Sequence, residues 1–431
     1  MIDSMVSIAT PVYCPPPPET VEATGIPLSL ITDLVLRRTY VTGVTTLQAL
    51  GNSLKLSPIV LENIFRDLRQ QMLIEVKGMV GNDYSFSLSE KGRSLALDRF
   101  EISHYAGPAP VSLKQYTRLT KAQAAKVKID RKILRQAMSD LVLSDHLLDQ
   151  LGPAIISQNS IFLYGPTGGG KTSLAERLLR VYQDAIVVPY TLEVDGQILQ
   201  LFDPVLHEPI QAESADIDPR WVICRRPCVI AGGELVTNML ELRLDEATGI
   251  YAAPLQMKAN NGVLVIDDFG RQAVAPRELL NRWIVPLDRR VDYLTLRYGV
   301  KFQIPFEVLV VFATNLEPTE LADEAFLRRL QNKVLVEPVE EALFDEIFRR
   351  VVTARNVPCD PDSAAILRRL CAEHGHAELR ACYPADVCQI LVSISLYENR
   401  PPHASREDLE RAATLYFERS VSFSGGKPPL D

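Results

Sequence analysis

Apolar and polar positions change their period several times along the 431-residue chain. Residues 1 to about 25 carry no period. They contain a run of four prolines, Pro15 to Pro18, which favours an extended polyproline II backbone, so this stretch reads as a disordered or tethering arm. From residue 26 a helical period sets in. Ile31, Leu34, Val35 and Leu36 share one amphipathic segment, and Thr45 to Leu54 gives a second short helix. Ser57-Pro58 opens a third, with a capping hydroxyl followed by a proline suited to the first helical position. Val60, Leu61, Ile64, Phe65 and Leu68 form its apolar face. The period then drops to two. Leu73-Ile74-Glu75-Val76 and Tyr84-Ser85-Phe86-Ser87-Leu88 alternate as strands around a Gly- and Asn-containing turn.

Three helices followed by a two-stranded wing resemble a winged helix, over residues 26–105. Such a unit often sets its third helix in a DNA major groove. Here Arg66 and Arg69 stand against Glu62 and Asp67, and the whole segment is close to neutral, so protein docking or a structural role is the favoured reading. Residues 106–150 read as a basic helical linker. Between Lys114 and Arg135 the acidic residue Asp130 stands alone among lysines and arginines, which suggests a solvated face or a positive stripe for an anionic partner. Residues 151–338 read as an α/β core, with a β-rich insertion at 189–231 ahead of a Gly232-Gly233-Glu234-Leu235 helix. Val291 to Ile304 reads as a further hairpin. Residues 339–431 read as a helical lid and tail.

Composition narrows the function classes. Apolar residues make up 47% and charged residues 23%, as in globular proteins, and the net charge is −8. Extensive nucleic-acid binding calls for a basic surface, so any such contact is local. No stretch approaches a transmembrane helix, and Met1-Ile2-Asp3-Ser4 lacks a signal peptide's basic start, so a cytoplasmic protein without membrane insertion is expected. Seven scattered cysteines suit reduced thiols. Cys371, His374, His376, Cys382 and Cys388 lie close in sequence but lack CxxC or HxxxH spacing, so they are read as ordinary helix residues rather than zinc ligands.

The strongest chemical signal is Gly165-Pro166-Thr167-Gly168-Gly169-Gly170-Lys171-Thr172, which fits G-x-x-x-x-G-K-[ST]. The apolar strand Ser160 to Tyr164 precedes it, and a helical stretch, Ser173 to Tyr182, follows. Glycines let backbone N–H groups surround phosphates, Lys171 supplies a positive charge to the β- and γ-phosphates, and the Thr172 hydroxyl suits a Mg²⁺ ion. A second anchor is Gly262-Val263-Leu264-Val265-Ile266-Asp267-Asp268, a buried-strand pattern ending in two carboxylates. Asp267 is placed to hold Mg²⁺ and Asp268 to polarise the attacking water. A third strand, Val308 to Phe312, ends in Ala313-Thr314-Asn315, whose amide suits both the γ-phosphate and the water. Phe326-Leu327-Arg328-Arg329-Leu330 follows as a helix with paired arginines.

In that order the four motifs resemble Walker A, Walker B, sensor 1 and the arginine finger of an AAA+ ATPase, over roughly residues 115–420. Further stretches, Gly232 to Leu235, Leu279 to Leu287 and Val310 to Leu316, are similar to bacterial AAA ATPases described as chaperone-like and associated with Flp pilus assembly. The resemblance implies a P-loop AAA+ core with a parallel sheet flanked by helices, a C-terminal helical lid, and ATP with Mg²⁺ as cofactors. Gly165 to Ser173 would hold the nucleotide. Arg329, with Arg328, would act on ATP in a neighbouring subunit of a homo-oligomer, typically a hexamer. Two departures stand out. The second Walker B acid is Asp268 where the family most often has Glu, and Ala385 falls where sensor 2 has a basic residue, with Arg380 as the substitute. A ring ATPase that remodels an unidentified protein client is the reading; a DNA-directed ATPase and an ATP-gated scaffold with slow hydrolysis are its alternatives.

Overall fold

A computed structural model describes residues 14–124, 129–210, 217–318, 328–374 and 378–417. At its centre lies a parallel five-stranded sheet in the spatial order Cys228–Ala231, Val263–Ile266, Leu309–Thr314, Ile161–Tyr164, Asn332–Leu335. The P-loop strand is thus first of the five in sequence but fourth in space. The Ala-Thr-Asn strand lies between it and the Asp-Asp strand, so the ends of all three converge.

The three inner strands are apolar on successive residues because both faces of the sheet are covered there. The period of two assigns the faces. Ile161, Leu163, Val263, Val265, Leu309 and Val311 pack with Leu134, Leu148 and Leu151 on one side. Phe162, Leu264, Ile266, Val310 and Phe312 pack with Leu279, Trp283 and Phe306 on the other.

A β-rich body stands beside this core. Its five-stranded sheet runs in the order Arg243–Asp245, Ile250–Ala252, Gln197–Gln200, Thr191–Val194, Val111–Ser112. The hairpin Val291–Thr295/Lys301–Pro305 and the antiparallel pair Ala185–Pro189/Trp221–Arg225 complete it. Its apolar core takes Val111, Tyr116 and Leu119 from the expected linker and Leu294 and Ile304 from the later hairpin. The boundaries 189–231 therefore need correction. Cys228–Ala231 belongs to the central sheet, and the β-rich body draws on four separate stretches because no single one of them could bury its own apolar face.

The linker expectation changes in the same way. Helix Leu113–Ala122 packs into the β-rich body, whereas Arg131–Ala137 and Asp145–Ser157 cover the central sheet. Two of the linker's arginines are paired, Arg131 with Asp149 and Arg135 with Asp145 at 2.5 Å. Lys126 and Lys128 lie outside the described residues. Gly232 to Leu235 is a turn, not a helix; two glycines disfavour helix, and the Glu234 carboxylate accepts the Gly232 N–H at 3.0 Å.

The N-terminal unit consists of helices Leu28–Thr42, Leu47–Leu54 and Pro58–Gln70, strands Ile74–Val80 and Asp83–Leu88, and a closing helix Glu90–Ile102. The Ser57 hydroxyl caps the third helix by accepting the Val60 N–H. The disordered-arm expectation is corrected from Cys14 onward. A polyproline backbone leaves its carbonyls unbonded within itself, and here the body supplies donors. The Asp218 N–H donates to Pro15 O at 2.7 Å and the Ser57 hydroxyl to Pro18 O at 2.8 Å. Buried Arg220 donates to Thr24 O at 2.9 Å while paired with Asp218.

At the C-terminal end, helices Glu341–Ala354, Ser363–His374, Tyr383–Tyr397 and Arg406–Phe417 enclose a core of their own around Phe344, Leu367, Leu391 and Leu409. Cys371 and Cys388 are buried within it. His376 lies outside the described residues, among which no group of three or more His, Cys, Asp or Glu is gathered as for a metal ion. No helix of the described residues is long and apolar enough to cross a membrane.

Candidate functional site

The C-terminal ends of the central strands open onto a cavity of about 670 Å³, bounded by the P-loop, Asp267, Asp268, Asn315 and the lid. Thr167 to Ser173 line its floor. The loop's path requires glycine at particular points. Gly165, Gly168 and Gly170 have φ of 134°, 80° and 89°, a region that side chains disfavour. A Cβ on Gly168 would also lie 2.5 Å from the Cys382 sulfur.

Lys171 Nζ folds back onto its own loop, donating to Gly165 O and Pro166 O, each at 2.9 Å. Burial lowers its pKa, and the charges of Asp267 and Asp268 oppose that shift. The ammonium therefore sits in a desolvated place facing two carboxylates, and a polyphosphate would satisfy it better than loop carbonyls do. The Thr172 hydroxyl donates to both Asp267 oxygens, at 3.0 and 2.9 Å. A hydroxyl and a carboxylate held this close are the hard oxygen donors that suit Mg²⁺.

The Asp-Asp strand ends in a turn tied to its neighbour. Asp268 has φ of 48°, a left-handed conformation that Asp tolerates better than most residues. That turn sends the Phe269 N–H to Ala313 O at 2.8 Å, and the Thr314 hydroxyl returns a bond to Phe269 O at 2.7 Å. Two bonds thus fix the Asp267–Phe269 corner to the strand end carrying Asn315. Asp267, Asp268 and Asn315 consequently face one cavity although they are far apart in sequence.

The lid closes the other side. The Cys382 N–H donates to Gly168 O at 3.1 Å, and the Arg350 guanidinium donates to Ser139 O at 2.8 Å. Arg380 lies beside the loop, its Cδ 3.6 Å from the Cβ position of Gly168 and its guanidinium 5.8 Å from the Tyr383 ring centroid. Its Nε is buried without a hydrogen-bond partner, and its charge helps lower the Lys171 pKa. Ala385 also lines the cavity and brings no charge. Beyond the phosphate end the walls turn apolar, with Val142 and Leu143 facing Leu343, Ile347 and Val351. Sequence reasoning missed this wall and Cys382. Apolar residues at helical spacing look the same in a core and in a cavity, and nothing local marks Cys382.

Arg328 and Arg329 are not in the cavity. They occupy a turn before strand Asn332–Leu335 and lie at the opposite, N-terminal end of the sheet. Arg329 O accepts from the Ser160 hydroxyl at 3.4 Å, and its Nε pairs with Asp288 at 2.9 Å. Strands of four residues separate that end from the P-loop by about 13 Å. Phe326 and Leu327 of the expected helix lie outside the described residues.

A family model described as a domain of unknown function (DUF8689) matches residues 340–415, the lid. No curated protein matches the chain. Among solved structures, NtrX from Brucella abortus is similar at 15% identity and a TM-score of 0.41, over 68% of this chain and 60% of that one. NtrX in complex with ATP gives 15% and 0.39, over 66% and 61%. The Thermotoga maritima RuvB Holliday junction branch migration motor gives 14% and 0.36, over 68% and 72%. The chain thus spans about 60% of the NtrX chains it matches. Likeness at this level bears on neither substrate nor assembly.

Proposed function

We propose that this chain is an AAA+ ATPase that binds Mg²⁺·ATP in the 670 Å³ cavity and hydrolyses it within a homo-oligomeric ring. The observation that carries the reading is the pairing of one P-loop cavity with an arginine at the far end of the same sheet. Arg329 cannot reach across its own strands, and in this reading it serves a nucleotide held by a neighbour.

The apolar wall of Val142, Leu143, Leu343, Ile347 and Val351 would receive the adenine. Loop N–H groups and Lys171 hold the phosphates. Thr172 and Asp267 hold the metal ion, which supplies charge neutralisation at the phosphates when bound. Asp268 accepts a proton from the attacking water and Asn315 orients that water. Arg380 adds positive charge from the lid, in place of Ala385. Arg329, with Arg328 beside it, stabilises transition-state charge from the adjacent subunit. A hexamer and a protein client in pilus or secretion assembly rest on the family resemblance alone. DNA is the less favoured partner, since the third N-terminal helix is close to neutral.

One observation favours a second reading, an ATP-gated scaffold. Asp268 is a short acid in a left-handed turn, and misplacement of a base by about 1 Å costs roughly a hundredfold in rate. The test of both is ATP hydrolysis per subunit across a wide range of protein concentration, with Arg329→Ala alongside. A specific rate that climbs with concentration in the wild type and stays flat in the variant supports the ring. Tight ATP binding without turnover at any concentration supports the scaffold.

A further inference from the structure

The turn that carries Asp268 is clamped by a side chain that lies outside the cavity. Within three residues the backbone enters the left-handed region twice, at Asp268 with φ of 48° and at Gly270 with φ of 105°. Such a path persists only where the surroundings over-determine it. The Gln272 side-chain amide donates from Nε2 to Asp267 O at 2.7 Å and accepts the Gly270 N–H on Oε1 at 2.8 Å. A glutamine amide carries a donor and an acceptor side by side, so one side chain bridges both ends of the turn. The Arg271 N–H closes the same turn on Asp268 O at 2.9 Å. The bonds of Phe269 to the neighbouring strand fix the middle of this corner, and Gln272 fixes its two ends. Asp268 is exposed and lines the cavity, whereas Gln272 is partly buried and forms no part of its wall.

We infer that Gln272 is a positioning residue that sets where the Asp268 carboxylate stands in the cavity. This rests on the reading above in which Asp268 accepts the proton of the attacking water. An aspartate side chain is short, so the place of its carboxylate follows the backbone closely. A turn released at Asp267 O and at the Gly270 N–H carries Asp268 away from its place. Asp267 itself stays, because the Thr172 hydroxyl bonds both of its oxygens and its N–H donates to Ala231 O at 2.8 Å. Loss of the clamp therefore acts on the chemical step and spares the binding of nucleotide and Mg²⁺.

The test compares wild type, Gln272→Ala, Gln272→Met, Asp268→Asn and the Gln272→Met/Asp268→Asn double variant, as full chains with ATP and Mg²⁺. Steady-state kcat and KM are measured at the protein concentration where the wild-type specific rate is highest. Calorimetry gives the affinity for Mg²⁺·ATP, amide hydrogen exchange follows the Gly270 N–H, and melting curves check folding. Gln272→Ala should exchange the Gly270 amide faster and lose about ten- to a hundredfold in kcat, with KM and affinity as in wild type. Gln272→Met fills the same space without the amide, so it should match Gln272→Ala. The double variant should be no slower than Asp268→Asn, because Gln272 acts through that one carboxylate. An unchanged kcat in Gln272→Ala overturns the inference, as does a wild-type rate in Gln272→Met, which would make the role one of packing. Equal losses of affinity and rate, or a further fall in the double variant, overturn it as well. If wild type shows no turnover, or Asp268→Asn is as fast as wild type, the reading of Asp268 falls and takes this inference with it. If Asp268→Asn is slow while both Gln272 variants match wild type, the role of Gln272 alone is wrong.

Discussion

The two ends of the central sheet are built from the same strands yet do opposite things. The C-terminal end is a cavity enclosed by loop and lid, where Lys171, Thr172 and Asp267 are held against one another. The N-terminal end is a shallower recess where Arg329 meets Asp288 through a half-exposed contact. The first end is desolvated around Lys171, whereas the second is partly exposed to water. A parallel sheet sends all its C-terminal strand ends one way, so Arg329 and the P-loop lie at opposite edges.

The largest expected effect separates the ends outright. Arg329→Ala should lower turnover by about a thousandfold or more while ATP affinity, measured by calorimetry, stays as in wild type. Equal loss of affinity and rate would place Arg329 in its own chain's site. Next, Lys171→Ala should weaken ATP binding by about 10- to 100-fold, the worth of a strong charged hydrogen bond. Mixing Lys171→Ala with Arg329→Ala subunits should restore activity, because some interfaces then pair an intact loop with an intact arginine. If the mixture stays inactive, the claim that the ends cooperate between chains fails.

A smaller effect probes how tightly the C-terminal end is built. Gly168→Ala combines a φ of 80° with the Cys382 sulfur 2.5 Å from the new methyl. It should cost about tenfold in ATP affinity. Shortening the facing thiol, as in Gly168→Ala/Cys382→Ala, should recover only the steric part.

The smallest effect belongs to neither end and serves as their control. Buried His207 accepts the Asp203 N–H on Nδ1 at 2.9 Å, and its Nε2 meets Lys258 O at 2.9 Å. Burial holds its pKa below the ordinary 6.5. The unfolded chain therefore binds this proton more readily. Stability from His207 is complete above pH 6.5 and is lost as pH falls toward the folded pKa. Melting temperature should drop as pH falls from 7 through 6.5, and His207→Gln should flatten that slope.

Legibility followed how local each feature is. The P-loop is one run of eight residues whose glycines and lysine have a single shared purpose, so it can be read directly. Asp267 and Asn315 were legible as polar ends of apolar strands. The β-rich body was legible only in pieces, because Val111, Leu192, Tyr251 and Ile304 meet only after folding. The basic stretch misled in the same way, since Asp145 and Asp149, which meet its arginines, lie on the next helix and carry no sign of that pairing.

By itself the sequence determined a nucleotide-type P-loop, its two partner strands and a helical C-terminal region, since each depends on contiguous residues or on a period along one element. Only the tertiary structure decided which polar groups share the cavity, that Cys382 rests on Gly168, and that Arg329 faces away toward Asp288. The reason is geometric. Strand order and direction set which strand ends meet, and one chain's local pattern holds no record of which element comes to lie beside it.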